Sequence, residues 1–296
     1  MDLTVGPNAF FWSAEAVRAF YTGLATAPVA RVVIGEWVCS KRLPFWQDEI
    51  PGAIEVLRAA GKDVAVTSLA LITLKRERKQ TADLAGMGLP VEVNDLSALR
   101  HIPEGTPFWV GPMVNVYNEG TLEWLAGRGA TRICLPPELP MASVAVLARA
   151  GAAAGIAVEV WGHGRVPLAI SGRCYHARLH DRAKDNCQFV CEVDPDGRDV
   201  DTMDGQPFLT VNGVQTLGRT VTTAAAQMEA LRAAGVASLR LSPHVGDFAG
   251  VAGAWAEALQ GAPDLPGRLG ALMPGTAFSD GFLDGKPGAA LGQARA

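Results

Sequence analysis

Short apolar strand patterns alternate with helical patterns along most of this 296-residue chain. Continuous apolar strands separated by helices indicate a parallel sheet that is covered on both faces. About eight such strands favour an α/β fold closed into a (β/α) TIM-like barrel over an open doubly wound sheet. The predicted strands are Leu3–Val5, Arg31–Glu36, Asp63–Leu69, Pro90–Val93, Phe108–Val110, Ala130–Leu135, Ala157–Trp161 and Ala237–Leu241.

Helical patterns fall between these strands and end at typical stop signals. Met141–Ala154 is rich in alanine and is followed by Gly155, which favours a helix with a glycine stop. The other predicted helices are Phe45–Ala60, Leu74–Met87, a helix capped by Thr222 or Thr223 that runs to Ala234, and a helix capped by Asp247 that runs to Leu259.

The alternation is interrupted between Arg165 and Gln215. This stretch contains three of the five cysteines and a turn-rich DPDGRD sequence. We expect a single domain over residues 1–296 with a cysteine-bearing insertion at about residues 165–215, in which Phe189–Val193 and Pro207–Val211 form a hairpin. The segment from Gly261 shows little periodicity, and its last eight residues are expected to fray.

Composition excludes some classes of function and suggests a compartment. The net charge is −4 and the basic residues are scattered, which argues against a global attraction to nucleic acid. The N-terminus lacks the pattern of a signal peptide, and the longest apolar stretch, Met141–Val158, contains Arg149 and is short for a bilayer. We therefore expect a cytoplasmic protein, in which clustered cysteines serve as metal ligands more often than as disulfides.

Four of the cysteines are candidates for a shared metal site. Twelve residues separate Cys174 from Cys187, and three separate Cys187 from Cys191. Cys39 is distant in sequence but follows a predicted strand, and residues that follow strands meet at the C-terminal face of a barrel. Cys134 lies among apolar residues within a predicted strand and is expected to be a buried core thiol.

The chemistry of four cysteines leaves more than one metal open. Soft thiolates hold iron–sulfur clusters, and four of them complete a two-iron or a four-iron cluster. Four cysteines also form structural zinc sites, usually as two closely spaced pairs, and here only one pair is close. The spacing alone favours an iron–sulfur cluster and leaves zinc, or no metal, as alternatives.

The segment Glu159–Cys174, EVWGHGRVPLAISGRC, resembles the signature of the U32 peptidase-like family. Glu159, Trp161, the His163-Gly164 pair and Ser171–Cys174 match that signature. Pro167 stands where the usual signature has a cysteine, which separates this chain from the collagenase-type members. The departure points to a particular branch of the family.

That branch acts in oxygen-independent ubiquinone biosynthesis. The chain resembles it at Gly6–Trp12, Ile34–Arg42, Pro167–Arg178 and Lys184–Cys191. The resemblance implies a U32-type α/β barrel and a heterodimer with a UbiU-like U32 protein that bears its own cluster. It also implies a UbiT-like lipid-binding protein as a further partner, hydroxylation of the quinone ring without O2, and prephenate as a plausible hydroxyl donor. A [4Fe–4S] cluster would be held by Cys39, Cys174, Cys187 and Cys191.

Several polar residues are further candidates for a site, and each also has a structural interpretation. His163 follows a predicted strand, where it would serve as an acid–base or substrate-contacting residue or as a structural hydrogen-bonding group. Arg173 and Arg178 flank Cys174 and would bind a carboxylate or form ordinary salt bridges. His176 and His180 have a spacing that can bind metal, although solvation at the surface is the simpler expectation.

Other strand-end residues complete this set. Glu36 and Glu159 end predicted strands and would form either a carboxylate pair or separate pairs with arginines. Asn94, Asp95 and Asn115 are weaker pocket candidates. The aromatic residues of the FFW sequence at Phe10–Trp12, with Trp37, Phe45 and Trp46, would form a partner surface or join the core.

Function is therefore predicted as a [4Fe–4S] subunit of an O2-independent ring hydroxylase. The alternatives are a U32-type peptidase, an RNA-modifying factor, and a non-catalytic scaffold with a structural metal site. The sequence offers no convincing pair of nucleophile and base for a peptidase, and its acidic balance disfavours RNA. It also contains no GxGxxG, Walker or Gly-x-Ser-x-Gly motif.

Overall fold

A computed structural model describes residues 1–291 of the chain. Eight parallel strands close into a barrel, because β11 pairs with both β1 and β7. This arrangement confirms the predicted TIM-like barrel. The eight barrel strands are β1 (Asp2–Val5), β2 (Arg31–Ile34), β3 (Asp63–Thr67), β4 (Val91–Val93), β5 (Phe108–Val110), β6 (Ala130–Cys134), β7 (Ala157–Ile170) and β11 (Ser238–Leu241). The other strands are β8 (Arg198–Asp201), β9 (Pro207–Asn212), β10 (Gln215–Thr223) and β12 (Phe278–Ser279).

Helices lie between the barrel strands and cover their outer faces. Two of the predicted ones are confirmed in detail: Met141–Ala154 ends at Gly155 in the left-handed conformation, and Asp247 caps the helix that runs to Leu259. The helices are α1 (Ala14–Leu24), α2 (Ile50–Ala59), α3 (Lys75–Ala85), α4 (Glu119–Gly127), α5 (Met141–Ala154), α6 (Tyr175–Arg178), α7 (Met228–Ala233), α8 (Phe248–Leu259) and α9 (Leu265–Leu272).

An antiparallel extension stands on the C-terminal end of the barrel. β7 leaves the barrel near His163 and continues to Ile170, where it pairs with β10. β10 pairs in turn with β9, and β9 with β8. The extension and the cysteine-bearing turns before it are therefore carried by the prolonged end of one barrel strand.

Two predictions about this half of the chain are wrong, and a segment without clear periodicity forms a helix. Phe189–Val193 is a 3₁₀ turn over its last four residues instead of a strand, because Gln188 and Phe189 adopt positive φ and break the extended run. Thr222 and Thr223 lie at the end of β10, where they pair with β7, and neither of them caps a helix. The next α-helix begins only at Met228. The aperiodic C-terminal segment contains α9, which is capped by Asp264.

The barrel interior contains a buried ion network as well as apolar side chains. Arg240 of β11 donates hydrogen bonds to Glu92 of β4 and Glu159 of β7, and all three are at most 1% exposed. No helix among residues 1–291 is long and apolar enough to cross a membrane.

The C-terminal end is described only in part. Of the last eight residues, which were expected to fray, Ala290 accepts backbone hydrogen bonds from Asp280 and Gly281. Residues 292–296 lie outside the described residues.

Candidate metal centre at the C-terminal end of the barrel

Four of the five cysteines line one small cavity between the barrel and its extension. These are Cys39, which follows β2, and Cys174, Cys187 and Cys191, which belong to the segment between β7 and β8. Cys174 and Cys191 are 8% exposed, and all five cysteines are free thiols. The fold thus brings Cys39 together with three cysteines that lie at least 135 positions later in the sequence (174 minus 39).

Cys39 is placed by the sharp turn that ends β2. The Oε1 atom of the buried Glu36 accepts hydrogen bonds from the backbone N–H groups of Val38 (2.9 Å) and Cys39 (3.0 Å). Gly35 permits this turn because it adopts φ +135°, and a Cβ there would lie 3.0 Å from Thr67. Burial raises the pKa of Glu36, while the nearby Arg42 acts in the opposite direction.

The other three cysteines are placed by short turns. The Cys174 Sγ atom accepts a hydrogen bond from the N–H of Ala177 at 3.4 Å and so caps α6. Gln188 and Phe189, with φ of 47° and 54°, turn the chain between Cys187 and Cys191. These left-handed residues allow both sulfurs to reach the same cavity.

Arg42 is buried against the same cavity, and the sequence alone did not single it out. Its guanidinium donates to the Ala9 carbonyl (2.9 Å) and to Asn212 Oδ1 (2.8 Å), which joins β1, β2 and the extension. Burial opposes its charge, but Cys191 and Glu36 leave the pKa of Arg42 raised above its usual value. Arg42 therefore supplies a fixed positive charge beside sulfur ligands. Its place in the IGEWVCSKR sequence was the available signal.

The cavity suits thiolates that a metal has deprotonated. Burial raises the pKa of both Cys39 and Cys174, while Arg42 lowers each. Free thiols at these positions are consequently neutral near pH 7, and a bound metal would displace their protons.

The spread of the sulfurs distinguishes between kinds of metal site. Within residues 1–291, only His176, His180 and Asp194 bring three potential ligand atoms within 4.8 Å of one another, so no three cysteine sulfurs are that close together. A tetrahedral zinc site with Zn–S bonds of about 2.3 Å holds its sulfurs roughly 3.8 Å apart. No three cysteine sulfurs in the described residues are therefore grouped as closely as a bound zinc ion would hold them.

His176 and His180 stack with ring centroids 5.8 Å apart, as their spacing predicts. The prediction of a solvated surface position is wrong for His176, which is fully buried and forms a hydrogen bond to Asp194 through Nε2 at 2.9 Å. His180 is exposed. Asp194 was not predicted, because its turn conformation is not visible in the sequence.

His163 is buried at the mouth of the barrel. Neither ring nitrogen has a hydrogen-bond partner among the described residues, and the ring lies 5.7 Å from that of His244 and 6.2 Å from that of Trp255. Burial, with a smaller effect from His244, lowers the pKa of His163 to about 3. A neutral imidazole in such surroundings does not act as an acid near pH 7. His163 also lacks the hydrogen bonds that the alternative, a structural hydrogen-bonding role, would require.

The remaining candidates separate into distinct surroundings. Glu159 pairs with Arg240, as the arginine alternative predicted, whereas Glu36 caps the turn before Cys39. Arg173 and Arg178 are exposed and form no salt bridge in the described part of the chain; both line a cleft beside Cys174.

The weaker pocket candidates serve local structure. Asn94 is buried and donates a hydrogen bond to Thr67, and Asp95 accepts hydrogen bonds from the N–H groups of Ile72 and Ser97. Asn115 ends a 3₁₀ turn with φ 60°. Of the six aromatic residues proposed for a partner surface, only Phe45 is exposed, at 50%, and the other five are buried.

Comparison with protein families gives a match over most of the chain. A family model described as peptidase family U32 matches residues 12–264.

Solved structures show weaker likenesses. A mandelate racemase/muconate lactonizing enzyme-like protein from Rubrobacter xylanophilus is 18% identical, with 54% of this chain and 46% of that chain covered and a TM-score of 0.38. An uncharacterized B. cereus protein is 14% identical, with 88% and 65% covered and a TM-score of 0.46. The HMG-CoA lyase from Brucella melitensis is 16% identical, with 88% and 99% covered and a TM-score of 0.33. The chain thus spans about half of the first protein and just under two thirds of the second, and these TM-scores support no functional conclusion.

Proposed function

This chain belongs to peptidase family U32, and from the four thiols that line one cavity we propose that it is an iron–sulfur protein of oxygen-independent ring hydroxylation. Cys39, Cys174, Cys187 and Cys191 would hold a [4Fe–4S] cluster. The observation that carries the proposal is the convergence of these thiols from two distant parts of the chain.

The cavity supports a cluster over a single metal ion. No three of its sulfurs lie within 4.8 Å of one another, whereas a single zinc ion would hold them closer than that and a four-iron cluster separates its ligands by the width of its core. The thiolate-bearing cluster would carry negative charge, and Arg42, Lys41 and Lys184 line the cavity as compensating cations. Bound at this site, the cluster would supply one-electron transfer.

The pathway rests on resemblance within the family. The sequence is similar to the UbiV group: Pro167 stands where the usual U32 signature has a cysteine, and the group's four cluster cysteines carry over onto Cys39, Cys174, Cys187 and Cys191. The chain would then act in a heterodimer with a UbiU-like U32 protein and with a UbiT-like lipid-binding protein. Its own residues would bind the cluster, exclude water from it through Phe189 and Val190, and hold a positive charge beside it at Arg42.

The peptidase alternative gains no support from the site. In the hydrogen bonds of residues 1–291, no serine or cysteine side chain bonds a histidine ring, and the ring bonds go to Asp194 and to the Val245 carbonyl. A nucleophile without an adjacent base is weak at neutral pH.

Metal analysis tests the cluster directly. The chain would be purified without oxygen, and iron, acid-labile sulfide and zinc would be measured per polypeptide together with visible absorption. We expect about four iron and four sulfide per chain and a broad brown absorption. One zinc without sulfide would make the cysteines a structural site and remove the redox role.

A genetic experiment tests the pathway. The gene would be deleted in a bacterium that makes ubiquinone both with and without oxygen, and ubiquinone would be quantified under each condition. We expect the quinone to be lost only without oxygen and to be restored by the intact gene. Normal anaerobic ubiquinone in the deletion strain would refute the assignment even if the protein binds a cluster.

A further inference from the structure

A strongly basic cleft opens directly beside the cysteine cavity. Two acidic residues, Asp181 and Asp185, lie in its walls. The chain as a whole has a net charge of −4, so this positive charge is a local concentration and not a general property. The six cations of the cleft are Lys41, Arg76, Arg173, Arg178, Arg182 and Lys184.

In the described part of the chain, these six cations have no direct ionic partner. Across residues 1–291, none of them lies within salt-bridge distance of a carboxylate. Lys41 Nζ donates instead to the Lys184 carbonyl at 2.7 Å, and Lys184 Nζ donates to the Gly172 carbonyl at 3.3 Å. Six cations that share one cleft with only two acidic residues create a positive potential that attracts an anionic partner.

The first turn of α3 adds further positive charge beside the cleft, although the helix dipole is already positive at that end. Lys75, Arg76 and Arg78 fall within the first four residues of α3, where the dipole disfavours cations, whereas Lys79 is paired with Asp83 at 3.3 Å. Glu77 does not offset them at the surface, because it is buried and accepts hydrogen bonds from Ser40 and from the backbone of Leu74. The arrangement is unfavourable within the chain and becomes favourable when an acidic surface covers it.

The cleft and the cysteine cavity share a wall. Lys41, Cys174 and Lys184 line both, so a molecule seated in the cleft lies one layer of residues from the proposed cluster. Arg76, Arg173 and Arg178 are exposed around the rim, on α3 and on both sides of Cys174. A rim of exposed, separated cations suits a broad acidic protein surface better than a small anion, which needs converging donors.

We infer that this basic cleft docks a small acidic protein that carries one electron, and that the carrier reduces the cluster through the wall at Cys174. The inference rests on the proposed function, because it requires a redox-active cluster. One electron leaves the reduced carrier and enters the oxidised cluster, so the carrier is oxidised by one electron and no proton or atom is transferred.

The test uses the cluster-loaded protein under anaerobic conditions and a plant-type [2Fe–2S] ferredoxin as the acidic carrier. Binding of oxidised ferredoxin would be measured by calorimetry, and reduction of the cluster by reduced ferredoxin would be followed in stopped flow. The test variant is R76E/R173E/R178E. The matched control is R58E/R100E/R149E, which makes the same charge change on α2, on the turn after β4 and on α5, away from the cleft.

For the wild type we expect saturable binding that weakens about tenfold or more between 50 and 300 mM salt, because screening shortens the reach of exposed charges. The cleft variant should lose about 30-fold in both affinity and reduction rate at 50 mM salt, whereas the control variant should stay within about threefold of the wild type. Both variants should retain iron and sulfide and be reduced by dithionite at the wild-type rate.

Three results would overturn the docking inference while leaving the proposed function intact. These are equal losses in the two variants, binding without reduction of the cluster, and a cleft variant that loses affinity for tRNA while ferredoxin reduces it normally. The last result would assign the cleft to RNA. A preparation without iron and sulfide would defeat the proposed function itself, and the docking inference with it.

Discussion

At the scale of single residues, Cys134 differs from the other four cysteines by its surroundings. It lies in β6 within the barrel wall and is 1% exposed, and burial raises the pKa of its thiol well above the usual value. The other four share a cavity with Arg42. A thiol enclosed among barrel side chains has no route to a metal, whereas four thiols that line one cavity beside a fixed cation can bind a metal together.

Alanine substitutions separate these two classes of cysteine. Cys39→Ala, Cys174→Ala, Cys187→Ala and Cys191→Ala should each lower iron and sulfide content at least about fivefold, because three thiolates leave one iron of the cluster unprotected. Cys134→Ala is the matched control and should retain both. Iron and sulfide would be assayed after anaerobic purification. Loss of iron with Cys134→Ala and retention with Cys39→Ala would contradict the ligand assignment.

His163 gives the folded protein a pH dependence of known sign. The pKa of its ring is about 3 in the folded chain because of burial, and a histidine in an unfolded chain titrates near 6.5. The unfolded state therefore binds one more proton between these values, so stability is fully present above about pH 6.5 and decreases as the pH falls toward 3. From pH 7 to pH 5 this decrease amounts to about 2 kcal/mol.

The variant His163→Phe tests this contribution, because phenylalanine suits a site next to Trp255 and Phe278 and does not titrate. Urea unfolding at pH 5, 6 and 7 should show a pH dependence that is shallower by about 2 kcal/mol than in the wild type. Parallel profiles for the two proteins would mean that His163 is not kept neutral by the fold. His244, the neighbour that also lowers the pKa of His163, is the same in both proteins.

At the scale of elements, strands β4, β7 and β11 are joined by charge inside the barrel. Arg240 of β11 bonds Glu92 and Glu159, and Arg132 of β6 lies 3.9 Å from Glu159. Burial opposes ionisation of Glu159, but Arg240 and Arg132 leave its pKa lowered. Arg240 is the side chain that both buried carboxylates share.

Arg240→Met should accordingly lower the free energy of unfolding by about 3–5 kcal/mol, because it leaves two buried carboxylates without their shared partner. Arg219→Met is the control: Arg219 pairs with Asp199 and Asp201 at the surface of the extension, and its loss should change stability by less than about 1 kcal/mol. Urea denaturation near pH 7 measures both. Equal effects would show that the interior network does not determine the stability of the barrel.

The barrel was predictable from the sequence because its strands report their own surroundings. Strands buried on both faces read as continuous apolar runs, and helices such as α5 have local stop signals. The predicted strand Ala157–Trp161 nevertheless continues to Ile170, since its second half gains a partner in β10 only through tertiary pairing. Thr222 and Thr223 are good helix caps locally, yet the same pairing places them in a strand.

The cysteine set was recognisable from the sequence, but its surroundings were not. Spacing and resemblance selected the four residues, and their convergence depends on β2 and β7 lying in one barrel. Arg42 and Asp194 were missed because their roles depend on contacts with residues distant in sequence or on a turn. The unpaired state of the cleft cations was likewise invisible, since scattered basic residues in a sequence give no sign that six of them line one surface.

At the scale of the whole molecule, the barrel and the cysteine segment differ in what stabilises them. The barrel encloses a continuous apolar core that extends over all eight parallel strands. Residues 179–190, in contrast, contain no fully buried side chain and consist of turns and a short 3₁₀ helix over Lys184–Asn186. A cluster bound by Cys39 would tie this segment to the barrel and stabilise it through binding to the folded state alone.

Removal of the cluster should therefore loosen the cysteine segment and leave the barrel folded. Trypsin should cleave cluster-free protein first after Arg178, Arg182 or Lys184, at least about tenfold faster than cluster-loaded protein, because local opening of this segment then needs no ligand bond to break. Mass spectrometry identifies the first cuts, and circular dichroism of the cluster-free protein should retain the helical signal of the barrel. Cys174→Ala should be cut like the cluster-free protein, while Cys134→Ala should be protected like the wild type. Simultaneous cleavage throughout the barrel would mean that the cluster is required for the whole fold, since segment and barrel would then open as one cooperative unit.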